Sequence, residues 1–61
     1  MDNINRKCLY INKGGTHRGI IINQYEEVGG KDDGQIFIIV KDSKTKKSNH
    51  VPIECILEIL D

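Results

Sequence analysis

Alanine is absent from this 61-residue chain, and isoleucine, at 11 residues, stands where alanine would otherwise fill a small core. With 3 valines, that makes 14 β-branched aliphatic residues among 23 hydrophobic ones. Branching at Cβ restricts the first side-chain torsion and suits a pleated surface, whereas alanine is the best helix former. The bias points to an all-β fold before any motif is read. Length tightens the constraint. A chain of this size buries only ~60% of its unfolded surface, so a disulfide, a metal or a partner subunit has much to add. The length suits one domain over residues 1–61 and leaves no room for the lobes of a large enzyme.

All six glycines fall in two clusters, Gly14-Gly15-Thr16-His17-Arg18-Gly19 and Gly29-Gly30-Lys31-Asp32-Asp33-Gly34, each ahead of an Ile-rich run. Their spacing suits one strand plus one loop, and both clusters read as turn regions between strands. A phosphate-cradling loop is the sharper reading, but neither cluster is followed by a helix whose N-terminus could hold the phosphate. Strands are expected over residues 7–11, with Leu9 and Ile11 on one face, over 20–25 and over 36–40. A polar turn, Asp42-Ser43-Lys44-Thr45-Lys46, then closes a hairpin onto 47–51. The second and third strands are apolar on both faces. They are therefore central, barrel-forming or covered by a partner subunit.

Two readings compete after Pro52. Ile53, Ile56, Leu57 and Leu60 stand at i, i+3, i+4 and i+7, which fits a helix starting at the proline. So short a helix is marginal, and Ile56 and Ile59 are β-branched. The favoured reading is a 3₁₀ turn at Ile53-Glu54-Cys55 followed by a fifth strand over 56–60.

The segment Leu9-Tyr10-Ile11-Asn12-Lys13-Gly14 through Arg18-Gly19-Ile20-Ile21 resembles the opening of KOW-type barrels, an apolar strand, a glycine loop, then glycine and an aliphatic strand. His50-Val51-Pro52-Ile53-Glu54-Cys55-Ile56-Leu57-Glu58-Ile59 is similar to the turn and last strand that close such barrels. The resemblance implies a five-stranded SH3-like barrel in meander order, with the 3₁₀ turn before the last strand. It implies no ligand. Peptide-binding SH3 domains use a groove with Trp and Tudor-type barrels an aromatic cage, whereas this chain has only Tyr10, Tyr25 and Phe37.

Nine Lys and Arg balance nine Asp and Glu, which argues against a uniformly basic nucleic-acid binder. The zero is nevertheless a sum of blocks. Residues 1–12 carry +1, 13–18 carry +2, 26–34 carry −3, 41–50 carry +3 and 54–61 carry −3. In a meander the first and third connections share an end. Lys13, His17 and Arg18 are thus expected beside Lys44, Lys46 and Lys47 as an anion- or partner-binding pole, with the acidic second loop at the other end. Solvated turn lysines are the plainer alternative.

Cys8 and Cys55 are expected as two small thiols, with a bridge between the terminal strands as the alternative. With His17 and His50 they lack the short-spaced pairs of a zinc site, so no metal, cofactor or catalytic residue is assigned. No apolar run approaches ~18 residues, and Met1-Asp2-Asn3-Ile4-Asn5 is no secretory leader, so a cytoplasmic location is expected.

Three functions compete. A protein-interaction module would use the two-faced strands and open sheet edges, including for self-association. A nucleic-acid or nucleotide binder would grip phosphates at the basic pole while His17 or Tyr10 stacks. An enzyme would need a Cys–His pair and a pocket that so small a barrel hardly provides. Ile, Lys and Asn together supply 23 residues, all with AT-rich codons, as suits an AT-rich bacterium, its phage or a plasmid. Small mobile-element proteins often block a larger host protein. The leading expectation is a non-catalytic protein binder, an inhibitor of that type, acting as a homo-oligomer.

Overall fold

A computed structural model describes residues 3–60. Five antiparallel strands form one sheet: β1 (Lys7–Asn12), β2 (Gly15–Glu26), β3 (Ile36–Asp42), β4 (Ser48–Pro52) and β5 (Ile56–Ile59). A 3₁₀ turn, η1 (Ile53–Cys55), precedes β5. The spatial order is β4-β3-β2-β1-β5, so β1 to β4 meander and β5 returns beside β1. The all-β expectation and the 3₁₀ turn before the last strand both hold. β4 and β5 stand at the two edges, and the sheet is open between them.

The first connection is shorter than the glycine pattern suggested. Only Lys13 and Gly14 turn the chain, both with positive φ (52° and 79°), and Asn12 pairs directly with Gly15. A two-residue hairpin with positive φ at both central positions matches the right-handed twist of the flanking strands. Gly15 to Gly19 therefore belong to β2, which corrects the reading of that whole cluster as a loop. Gly19 has a packing reason instead. A Cβ there would lie 2.5 Å from Val40 Cγ1, 2.7 Å from the Lys41 carbonyl oxygen and 3.2 Å from Tyr10 Cε1. The second cluster is a true turn, in which Gly29, Gly30 and Gly34 all have positive φ.

The core holds Cys8, Tyr10, Ile21, Ile38, Val40 and Val51, with Ile36, Cys55, Ile56 and Ile59 packed against it. β1 thus buries the face opposite Leu9 and Ile11. A bulge shifts the β2–β3 register between Ile21, which faces Val40, and Asn23, which faces Ile39. The extra residue is Ile22, and it is exposed. Past the bulge Tyr25 pairs with Phe37, and Ile39 pairs with His50 across β4, all on the face away from the core. β2 and β3 are interior strands, apolar on both faces as read from the sequence. Cys8 and Cys55 are free thiols, and burial pushes the Cys8 thiol up.

Candidate functional site

Both ends of the sheet carry charge. The β1–β2 turn and the first half of β2 place Lys13, His17 and Arg18 at the end where the β3–β4 turn places Lys44, Lys46 and Lys47. The Ser43 backbone N–H donates to the Arg18 carbonyl at 2.9 Å, tying β2 to this turn. His17, Arg18, Ser43 and Lys44 line one hollow, while Lys13, His17, Lys47 and Asn49 line the next. Lys46 borders a third hollow with Ile20 and Lys41. All six expected residues therefore share one end. His17 and Arg18 stand in β2 itself rather than in a loop.

An acid organises this basic end. Asp42, the last residue of β3, is only 5% exposed and is the buried charged residue among those described. Its Oδ1 accepts the backbone N–H of Lys44 at 2.8 Å and of Thr45 at 3.0 Å, and its Oδ2 accepts the Tyr10 hydroxyl at 2.7 Å. His17 Nδ1 lies 3.7 Å from the same Oδ2, and the His17 and Tyr10 rings sit 5.6 Å apart. Asn49 completes the network by donating to the Tyr10 oxygen at 3.3 Å. The Thr45 N–H, the Tyr10 hydroxyl and the Lys44 N–H hold the Asp42 carboxyl down to about 2. Burial, then the Asp42 carboxylate, pushes the Tyr10 phenol up to about 12. With its lone pairs engaged by these donors, the carboxylate fixes the turn that presents the lysines. Asp42 was not singled out from the sequence, although an Asp opening a Ser-Lys-Thr turn is the available signal.

The opposite end is acidic. Glu26 ends β2, and Glu27, Asp32 and Asp33 occupy the loop to β3. Glu54 of η1 joins them through Gln35, whose amide donates to Glu54 Oε1 at 3.0 Å. Within that loop the Gly34 N–H donates to the Glu27 carbonyl and the Gly29 N–H to Asp33 Oδ1. Asp2 and Asp61, counted in the charge blocks, lie outside the described residues.

Between the two ends, the outer face of β2, β3 and β4 mixes Ile20, Tyr25, Phe37 and Ile39 with Asn23, Lys41, Ser48 and His50. Tyr25 and Phe37 stack with ring centroids 5.5 Å apart and planes 12° from parallel. His50 meets Tyr25 edge-on, with its Nδ1 3.1 Å from the Tyr25 hydroxyl. Ile39 pairs with His50 and Asn23, and Ile20 stands on the same side between Lys41 and Lys7, with Ile22 at the bulge. Ile20, Ile22 and Tyr25 are each more than a third exposed. Two of the three aromatics thus form one surface cluster, which no sequence pattern exposed, because it needs the β2–β3 register after the bulge.

An apolar cleft of about 220 Å³ opens on the core side of the sheet, lined mainly by Ile21, Ile36, Ile38, Ile53, Ile56 and Ile59 of β2, β3, η1 and β5. Among the described residues no group of three or more His, Cys, Asp or Glu gathers with the geometry to hold a metal ion. His17 stands on the core side of the sheet and His50 on the outer side. No helix among these residues is long and apolar enough to cross a membrane. No family model, curated protein or solved structure matches this chain.

Proposed function

We propose that this chain is a non-catalytic binding module acting through protein–protein contact, and that the contact is the outer face of β2, β3 and β4. The observation that carries this reading is the set Ile20, Tyr25, Phe37 and Ile39 on that face, with exposed Ile22 at the bulge and Asn23 and Lys41 among them, and no covering layer from the described chain. Exposed apolar surface rimmed by polar residues marks interaction sites, and aromatic side chains supply much of their binding energy. The SH3-like, KOW-type barrel is the form we assign to the module. The meander, the return of β5 to β1 and the 3₁₀ turn support it. An inhibitor of a larger host protein is one role such a module would fill.

A photoreactive phenylalanine analogue at position 25, expressed in the native host, tests the proposal. Protein adducts at position 25, and none from the same probe at Asp32, support it. Nucleic-acid adducts would favour the second reading, in which the basic end grips phosphates; Tyr10, expected with His17 to stack on bases, is fully buried, so Tyr25 and His50 would take its place. That reading has one observation in its favour, the presence of Lys41 on the same outer face as the stacked aromatics, further along β3 from Phe37. Lys41 pairs with Ile20 and Ser48, one step along from Ile39.

A further inference from the structure

We propose that the partner taken by this outer face is a second copy of the chain, packed face to face with strands antiparallel, the basic end of each protomer against the acidic end of the other. The inference rests on the protein-binding reading of that face and adds the identity and orientation of the partner. Three observations converge on it.

The first is charge. Lys13, Arg18, Lys44, Lys46 and Lys47 stand at one end, and Glu26, Glu27, Asp32, Asp33 and Glu54 at the other. Each copy therefore carries both halves of a complementary pair. With a formal net charge of zero, two copies approach without overall repulsion.

The second is geometry. Sheets that pack face to face usually keep their strand directions within about 30° of one another. Ends must then meet ends, either like with like or opposite with opposite. Like with like would set Lys44, Lys46 and Lys47 against themselves, a juxtaposition that suppresses binding. Both choices are two-fold symmetric, with a single patch serving both protomers, so charge is what separates them.

The third is the face itself. Asn23, Phe37, Ile39 and His50 stand together there with no carboxylate among them, while Lys7 and Lys41 flank Ile20 nearer the basic end. The molecule measures 32 × 26 × 18 Å along its principal axes. Its broad side, β1 and β5 included with the three strands of the contact, is of the order of the ~800 Å² that each partner gives to a standard interface.

Sedimentation equilibrium of the full chain tests this. The expected species has twice the 6.9 kDa monomer mass. Its dissociation constant should rise about tenfold between ~0.05 and ~0.5 M NaCl, because the charges that meet are at exposed ends. Ile22→Glu, at an exposed bulge, should yield a monomer with an unchanged circular dichroism spectrum. The triple variant Lys44→Glu, Lys46→Glu, Lys47→Glu and the triple variant Glu26→Lys, Glu27→Lys, Asp32→Lys should each fail to dimerise alone and form a heterodimer when mixed. A dimer strengthened by salt, or one indifferent to Ile22→Glu, overturns the arrangement. A monomer up to ~1 mM overturns the second copy as partner. The position-25 adduct experiment answers separately whether the face binds another protein.

Discussion

Asp42 decides the electrostatics of one end of the sheet, and it does so in partnership with Tyr10. The Asp42 carboxyl falls from 3.8 to about 2 on folding, so the native state binds fewer protons than the unfolded chain between those values. Its contribution to stability is present above about pH 4 and is lost as pH drops through 2. Tyr10 has the opposite sign. Its phenol rises from 10.0 to about 12, so its contribution is complete below pH 10 and is lost as pH climbs through 12. Thermal unfolding followed against pH should show both limbs. Asp42→Asn should flatten the acid limb and lower the Tyr10 midpoint, read by phenolate absorbance in a Tyr25→Phe background. An acid limb that survives Asp42→Asn would assign it to other carboxylates. Tyr10→Phe removes the hydroxyl that bridges Asp42 and Asn49 and should cost about 1–2 kcal/mol in urea unfolding.

At the scale of the element, β2 shows what sequence periodicity reveals and what it hides. Its apolar run, Ile20 to Ile22, was legible as a strand, but its first five residues were hidden by glycines that looked like a loop. Gly14 is needed for a positive φ, whereas Gly19 is needed because Tyr10, Val40 and the Lys41 backbone close over it. Only the tertiary contact separates these two uses of one residue type. Gly19→Ala should therefore cost about 2–3 kcal/mol by overpacking, measured as a lower urea midpoint at unchanged slope. A cost within ~0.5 kcal/mol would mean that β3 yields easily there. The C-terminal segment is the converse case. Its helical spacing is a coincidence of composition, since the residues that pack are Ile56 and Ile59, paired with Tyr10 and Cys8 of β1. β-Branching was the better guide there than period. Leu57, at the register shift of β5 and 49% exposed, should accept Lys within ~0.5 kcal/mol, whereas a helix would have buried it.

For the whole molecule, zero net charge describes the sum and conceals the field. The basic end was legible in sequence because a meander sorts odd and even connections to opposite ends. The outer face was legible only as surplus, since two-faced strands signal a need for cover without saying where the bulge turns Tyr25 and Phe37. Charge segregation matters physically when its separation exceeds the screening length. The longest axis is 32 Å, against a Debye length of ~10 Å at 0.1 M ionic strength, so each end presents its own sign to a nearby surface. Near its isoelectric point of about 6.7, the protein should therefore be retained weakly by both cation and anion exchangers at ~20 mM salt and released from each by a few hundred millimolar. A uniformly mixed surface of the same composition would pass through both. Lys44→Glu, Lys46→Glu and Lys47→Glu together should abolish retention on the cation exchanger and strengthen it on the anion exchanger. If that variant still binds the cation exchanger, the positive field arises from Arg6, Lys7 and Lys41 along the sheet, and the turn lysines are ordinary solvated residues.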